Sequence, residues 1–238
     1  MNRKKNCCAI VVAAGNSTRM GMSCSKQFVL LNKIPAIVHT LLAFQNSDCI
    51  TSVVLVCRPG DRRMMEQLIQ RYQIQKLYAV IPGGDTRQQS VMAGILAAPE
   101  ETEYYAIHDG ARALITPKEI MAAVRDGVRY GASALAVPVK DTIKMVNRDG
   151  FVCATPERSM LWAVQTPQVF EKGLYQKAMA CAQAEGADYT DDCQLAEHAG
   201  IPVHLCMGAY TNIKLTTAED IPAAQAILQK RECLSCAR

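Results

Sequence analysis

Up to Pro138, short apolar runs alternate regularly with amphipathic stretches. Apolar runs of about five residues are typical of buried strands, and longer amphipathic stretches are typical of helices. Regular alternation of the two predicts βαβ units, and therefore an α/β fold with a mostly parallel sheet flanked by helices. The predicted strands are residues 8–13, 52–57, 77–81, 104–108 and 133–137, and the predicted helices are residues 35–44, 61–72 with Asp61 as an acidic N-cap, 85–97, and one that Thr116, Pro117 and Glu119 begin.

This rhythm is interrupted after Pro138. Residues 142–146 alternate in polarity, residues 147–150 are typical of a turn, and residues 151–154 alternate again, which predicts a hairpin. Because it has little core of its own, we expect residues 139–160 to form a β-arm that packs on another subunit, within a single domain spanning 1–238. Strands are then predicted at 163–165 and 203–207, and helices at 172–185, 191–198 and 218–230.

Composition and charge narrow the class of protein. The chain has 238 residues, half of them apolar, which is enough for a sizeable core. Its apolar runs are shorter than the ~18 residues of a membrane span. The net charge is only +4 and is spread along the chain, so we expect no nucleic-acid groove and no membrane partner, although a local basic pocket for a small polyanion stays open.

The N-terminus and the cysteines indicate in which compartment of the cell the protein is found. Lys4 and Lys5 precede an apolar run, as in a secretory signal, but the run is better explained as the first strand. The eleven cysteines are scattered, and many sit in apolar runs as small core residues would. Cys233 and Cys236 form one C-x-x-C without the second pair of a zinc site. We therefore expect a cytoplasmic protein.

The loops that follow the strands carry the candidate chemistry, because ligands of parallel sheets bind at the carboxyl ends of the strands. The first loop begins Ala13-Ala14-Gly15 and carries Arg19 and Lys26. It matches neither the P-loop nor the dinucleotide fingerprint. Two cations on a small-residue loop suit a triphosphate under attack, although solvated surface cations would give the same pattern.

Two further strand ends carry similar features. Gly83 and Gly84 precede a helix N-terminus, an arrangement that suits an anion or a base edge but also an ordinary turn. His108 is more typical of a core histidine than of a catalyst, whereas Asp109 is placed to meet a magnesium-bound phosphate or a ribose. Five cations lie after strands or in loops, which favours a polyphosphate pocket: Arg19, Lys26, Arg112, Arg158 and Lys214.

In combination, these motifs resemble those of the 2-C-methyl-D-erythritol 4-phosphate cytidylyltransferases, enzymes of the non-mevalonate isoprenoid pathway. The resemblance covers nearly the whole chain. It rests on Ala-Ala-Gly at 13–15, Arg19-Met20, Lys26-Gln27-Phe28, Gly83-Gly84 with Arg87 and Ser90-Val91, His108-Asp109 with Ala111-Arg112, Asp-Thr-Ile-Lys at 141–144, Arg158 with Leu161-Trp162, Gln-Thr-Pro-Gln at 165–168, and Asn-Ile-Lys at 212–214.

The resemblance implies a Rossmann-like nucleotidyltransferase fold, a homodimer formed through the β-arm, and transfer of CMP from CTP to methylerythritol phosphate with release of pyrophosphate. It implies Mg²⁺ as the cofactor, held mainly by the CTP phosphates and indirectly by Asp109. It implies substrate contacts from Ala13, Ala14, Gly15, Gly83, Asp85, Ser90, Asp109, Arg112, Thr142, Thr166 and Thr190, and catalytic roles for Arg19, Lys26, Arg158 and Lys214, with Arg158 reaching the acceptor from the partner subunit.

Some positions depart from the family pattern, and rival functions stay open. Thr211 stands where an acid is usual, and Ser17, Ser25, Gly110 and Ala113 also differ, but no cation is lost. Ribitol 5-phosphate cytidylyltransferases share most motifs, and sugar-1-phosphate nucleotidyltransferases that use UTP or GTP are more distant rivals. A nucleotide-binding regulatory module is the alternative outside the enzymes, but a sensor needs no transition-state cations.

Overall fold

A seven-stranded sheet forms the centre of the protein in a computed structural model that describes residues 5–15 and 25–236. Its strands are β1 Cys7–Ala13, β4 Ser52–Cys57, β5 Leu77–Pro82, β6 Tyr104–Asp109, β7 Ala132–Pro138, β10 Trp162–Glu171 and β11 His204–Met207. Across the sheet their order is β11-β7-β10-β6-β1-β4-β5. Two pairs of short strands lie outside this sheet: β2 Leu30–Leu31 pairs with β3 Ile34–Pro35, and β8 Met145–Val146 pairs with β9 Val152–Ala154.

The sheet is mostly parallel, as the alternation predicts, with one exception. Strand β10 runs antiparallel to both neighbours, β6 and β7. It is also much longer than the predicted strand at 163–165. Gln165, Thr166 and Gln168 are buried in it, and their polar side chains interrupt the apolar pattern on which the strand prediction depended.

Helices cover both faces of the sheet, which explains why the central strands are apolar at successive positions. Along β1, Cys7, Ala9 and Val11 pack into one core, and Cys8 and Ile10 pack into the other. Among the described helices, none combines the length and apolar composition needed to cross a bilayer. The helices are α1 Ala36–Gln45, α2 Arg62–Arg71, α3 Arg87–Leu96, α4 Pro117–Tyr130, α5 Lys172–Glu185, α6 Asp192–His198 and α7 Asp220–Cys236.

Two helix starts differ from the prediction. Asp61 does not cap α2, because its carboxylate accepts two hydrogen bonds from Arg58 instead. Helix α3 begins after Thr86, whose hydroxyl accepts a hydrogen bond from the Gln89 amide, and not at Asp85. The predicted cap of α4 at Thr116 is confirmed, and Glu119 completes a capping box with it.

The hairpin after Pro138 lies outside the main sheet. Its strands β8 and β9 are shorter than the alternating pattern predicts, and their side chains are exposed. Helix α7 is longer than predicted and includes Cys233, which is exposed. Other cysteines are free and buried, as expected of core residues: Cys7, Cys8, Cys57, Cys193 and Cys206.

Gly94 lets α3 pack directly on the sheet, and this contact gives a stability prediction. A Cβ atom at Gly94 would lie 2.4 Å from Cγ2 of Ile10 and 3.0 Å from Cγ2 of Val56. Both neighbours are buried and β-branched, so Gly94→Ala is expected to lower the free energy of unfolding by about 1–3 kcal/mol in urea titrations. Gly60→Ala is the control, because a Cβ there meets no atom within 4 Å. Equal effects of the two substitutions would contradict the packing argument.

Candidate active site

A cavity of about 540 Å³ opens at the carboxyl ends of β1, β4, β5 and β6. The loops after these strands and the first turn of α3 supply its walls. Two lysines from distant parts of the chain line it, Lys26 in the short 3₁₀ helix Lys26–Phe28 and Lys214 before α7. It is lined by Val12, Ala14, Gly15, Lys26, Gln27, Arg58, Pro59, Gly83, Gly84, Asp85, Thr86, Arg87, Ser90, Asp109, Ala111 and Lys214. We call it the large cavity.

Residues 83–85, which follow β5 and which we call the glycine loop, lie close to Ala14 in the loop after β1. A Cβ atom at Gly83 would lie 2.3 Å from Cβ of Ala14 and 2.8 Å from Oγ of Ser90, so only glycine fits there without a shift. Ser90 holds the loop by accepting a hydrogen bond from the Gly84 amide at 3.1 Å and donating one to the Thr86 carbonyl at 3.0 Å. The loop therefore presents backbone and a helix N-terminus to the cavity, which suits an anionic or polar ligand.

Asp109 ends β6 and lies where the charged groups meet. Lys214 Nζ is 2.6 Å from one of its carboxylate oxygens, and Arg87 Nε is 3.4 Å from the other. Its backbone N–H donates to the Thr166 hydroxyl at 3.1 Å. Burial raises the pKa of the Asp109 carboxyl, but the charges of Lys214 and Arg87 outweigh burial and hold that pKa well below its usual range. Asp109 is therefore ionised at neutral pH.

A second cavity of about 310 Å³ adjoins the first on the β10 side. Asp109, Arg87 and Lys214 line both cavities, so the two share a charged wall. We call the second one the small cavity. It is lined by Arg87, Asp109, Arg112, Val164, Gln165, Thr166, Gln168, Thr190, Asp191 and Lys214.

Buried polar residues fix the floor of the small cavity. Arg112 donates from Nη1 to the Asn212 carbonyl at 2.8 Å, and its Nη2 lies 3.4 Å from the Val164 carbonyl. Asn212 is fully buried and donates to the Thr166 carbonyl at 3.0 Å. Because these bonds hold the guanidinium from behind, Arg112 is positioned before any ligand arrives.

His108 is a core residue, as the sequence predicts. It is fully buried, its Nδ1 lies 3.0 Å from the Thr166 hydroxyl, and its Nε2 lies 3.4 Å from the Arg112 carbonyl. Burial lowers the pKa of His108 from 6.5 to about 3, so the imidazole is neutral at physiological pH. It supports Thr166 and does not face either cavity.

Most predicted site residues come together around the two cavities, but some do not. Ala13 is buried in β1 and lines neither cavity. Thr142 and Arg158 lie on the exposed arm, where Arg158 donates to the Lys140 carbonyl at 3.2 Å, and they line neither cavity of their own chain. Arg19 lies outside the described residues. The large cavity gathers Ala14, Gly15, Lys26, Gly83, Asp85, Ser90, Asp109 and Lys214, and the small one gathers Asp109, Arg112, Thr166, Thr190 and Lys214.

Two cavity-lining arginines were not among the predicted site residues. Arg58 directly follows β4, and Arg87 begins α3 after the glycine loop. The rule that pointed to the other cations, a basic residue after a strand or in a loop, also applies to Arg58. Arg87 stands in the first turn of a helix, where a basic residue gives no signal of burial.

The fold and the cavities define the class of the protein. Glycine loops and lysines meet over the carboxyl ends of a mostly parallel sheet, with room for a nucleotide and a neighbouring anion, as in the α/β nucleotidyltransferases. A family model described as 2-C-methyl-D-erythritol 4-phosphate cytidylyltransferase, IspD, matches residues 7–230.

Curated relatives and solved structures agree with the family model. A 2-C-methyl-D-erythritol 4-phosphate cytidylyltransferase of Desulforamulus reducens is 48% identical over 96% of this chain and 98% of its own length. One of Geobacillus kaustophilus is 46% identical over 94% and 97%. A crystal structure of 4-diphosphocytidyl-2C-methyl-D-erythritol synthase from Anaerococcus prevotii superposes with a TM-score of 0.85 at 29% identity, covering 95% of this chain and 97% of that one.

The chain therefore belongs to the IspD family of 2-C-methyl-D-erythritol 4-phosphate cytidylyltransferases. Its reaction is CTP-dependent transfer of the cytidylyl group to 2-C-methyl-D-erythritol 4-phosphate.

The buried, neutral His108 gives a prediction for acid stability. The unfolded chain takes up a proton near pH 6.5, whereas folded His108 does so only near pH 3, so protonation favours unfolding between these values. Stability should therefore fall as pH decreases through this window, with His108 contributing up to about 1.4 kcal/mol per pH unit. His108→Gln should flatten the profile of unfolding free energy against pH. Parallel profiles for the two proteins would rule this contribution out.

Proposed function

We propose that CTP binds in the large cavity, that the acceptor phosphate binds in the small cavity, and that CMP passes between them across the shared wall. One observation carries this division: Asp109, Lys214 and Arg87 line both cavities, so ligands in the two would meet at these side chains. The glycine loop suits the nucleotide, because Gly83, Gly84 and Ser90 line the large cavity and the two glycines place no side chain in the way of a planar base.

The chemistry that suits this arrangement is in-line attack by an acceptor phosphate oxygen on the α-phosphorus of CTP, with pyrophosphate leaving. A phosphate monoester dianion is nucleophilic, so the chain need not supply a general base. Rate enhancement then comes from positioning and from cations near the crowded, negative transition state. Lys26 and Lys214 line the large cavity and suit this role, and the resemblance assigns catalytic roles to Arg19 and Arg158 as well.

Mg²⁺ fits this site as an ion carried by the nucleotide. The described residues include no cluster of three or more histidine, cysteine or acidic side chains that would cage a metal. Asp109 is ionised, but both its oxygens already contact cations, so it suits indirect contact with Mg²⁺ held by the triphosphate. Bound Mg²⁺ would neutralise charge on the triphosphate and on the departing pyrophosphate.

The arm is proposed to join two copies of the chain and to complete the acceptor site. Apolar side chains are exposed along it, at a density unusual for a free surface: Ile143, Met145, Val146, Phe151, Val152 and Met160. Thr142 and Arg158 stand on the same arm, away from the cavities of their own chain. Packing of the arm on a second copy would bury the apolar residues and carry these two polar residues toward the partner's small cavity.

Loss of the Lys26 charge tests the catalytic assignment. Lys26→Ala is expected to lower kcat by about 100-fold or more, because a cation that acts in the transition state is removed. Pyrophosphate release from CTP and methylerythritol phosphate is the assay, and Arg63→Ala, at an exposed position on α2, is the control. A raised KM with an unchanged kcat would restrict Lys26 to ground-state binding.

Substrate substitution in the same assay tests the choice of acceptor and of nucleotide base. Ribitol 5-phosphate in place of methylerythritol phosphate, and UTP in place of CTP, should each release much less pyrophosphate. Equal rates with the two acceptors would remove the acceptor preference.

Phe151 tests the role of the arm. Its side chain is 72% exposed, and as a buried aromatic anchor in a dimer it would contribute at least about 2 kcal/mol. Phe151→Glu is therefore expected to weaken dimerisation by about 30-fold or more in sedimentation equilibrium. Leu96→Glu is the matched control, because Leu96 is 79% exposed at the end of α3. A wild-type monomer, or a Phe151→Glu dimer of unchanged affinity, would refute the arm interface.

A further inference from the structure

Hydrogen bonds connect the segment 187–192 to the start of α3, at Thr86 and Gln88. The Thr86 hydroxyl donates to Asp188 at 3.1 Å. The Gln88 side chain bonds the segment twice, donating to the Ala187 carbonyl at 3.1 Å and accepting from the Tyr189 amide at 2.8 Å. Three hydrogen bonds between short stretches of chain make these two pieces one structural unit, although they are about a hundred residues apart in sequence.

A charged contact extends the same junction into the interior. Arg87 Nη1 lies 2.7 Å from a carboxylate oxygen of Asp192, whose side chain is only 3% exposed. The hydroxyl of the buried Tyr175 donates to the other oxygen of Asp192 at 2.6 Å. On its opposite side, Arg87 Nε faces Asp109 at 3.4 Å. Arg87 therefore bridges a carboxylate in the shared wall and a carboxylate at the start of α6.

The pieces that Arg87 joins belong to different cavities. The glycine loop and Thr86 line the large cavity, and Thr190 and Asp191 line the small one. Asp192 follows Asp191 directly in the chain, so a displacement of Asp192 moves the wall of the small cavity. Arginine suits this joint, because its planar guanidinium holds two carboxylates at once, whereas lysine is a point charge on a flexible stem.

We propose that Arg87, held by Asp192, is a positioning residue that couples the two cavities, so that a nucleotide in the large cavity raises the affinity of the small cavity for the acceptor phosphate. This inference rests on the proposed division of the cavities between nucleotide and acceptor. A ligand that orders the glycine loop also orders segment 187–192 through the junction, and the second ligand then loses less conformational entropy on binding. Linkage requires the reciprocal effect, with the acceptor raising nucleotide affinity by the same factor.

Binding to the intact protein tests the coupling. The probes are methylerythritol phosphate and a CTP analogue with a methylene bridge between the α- and β-phosphorus atoms, which binds without reacting. Calorimetry gives the Kd of each probe alone and in the presence of the other. In the wild-type protein, the analogue is expected to tighten acceptor binding by about fivefold or more.

Variants then assign the coupling to the junction. Asp192→Asn keeps the side-chain shape but removes the charge opposite Arg87, and it should bring the coupling factor close to one while the analogue alone still binds. Gln88→Ala removes two of the hydrogen bonds and leaves the buried charges intact, so it decides the matter if Asp192→Asn fails to fold. Glu197→Gln, an exposed position on the same helix, is the matched control and should keep the wild-type factor.

The outcomes separate this inference from the proposed function. Both probes binding the wild-type protein independently of each other would overturn the coupling and leave the proposed function standing. A wild-type factor that persists in folded Asp192→Asn and Gln88→Ala would overturn the role of the junction. Failure of either probe to bind the wild-type protein even in the presence of the other probe would reject the division of the cavities, and the coupling with it.

Discussion

The ionised carboxylate of Asp109 organises the site, because it is buried and must be matched by positive charge. A carboxylate taken out of water without partners would become protonated or destabilise the fold. Here Lys214 and Arg87 come from distant parts of the chain, one before α7 and one at the start of α3, and meet at the two oxygens of this side chain. Removing either cation leaves the buried charge of Asp109 with a single partner, so the positions of the two cations and of Asp109 depend on one another.

Most of the sheet could be predicted from the sequence, because burial on both faces leaves a run of apolar residues in each central strand. The strands β1, β4, β6 and β7 are of this kind. Strand β10 is the exception, since Thr166 and Gln168 are buried but polar. Their partners, His108 for Thr166 and Asp191 for Gln168, lie far away in sequence, so no local pattern could reveal that these positions are satisfied inside the fold.

The site could be predicted where chemistry and topology coincide. Asp109 ends β6, and Lys26 and Lys214 lie in the connections that follow β1 and β11. The rule that ligands of parallel sheets bind beyond the strand ends therefore predicts that the three charged residues come together. The same rule does not identify Arg87 and Asp192, because each stands in the first turn of a helix. Charged residues are common there for reasons of capping and solvation. Only tertiary structure distinguishes them from surface charges.

The ion pairs around Asp109 also determine how its two cations respond to an anionic ligand. Lys214 and Arg87 are matched by carboxylates and not by water alone, which holds these side chains of the shared wall in place. An entering triphosphate competes with Asp109 for these cations. Lys214 has a flexible stem and one close carboxylate partner, whereas Arg87 is held between Asp109 and Asp192, so the two cations differ in how easily they move. We therefore expect Lys214 to shift toward the ligand and Arg87 to stay in place. When Lys214 moves from Asp109 to the ligand, Arg87 stays beside Asp109 and continues to compensate its charge. The shared wall therefore keeps its geometry while Lys214 changes its partner.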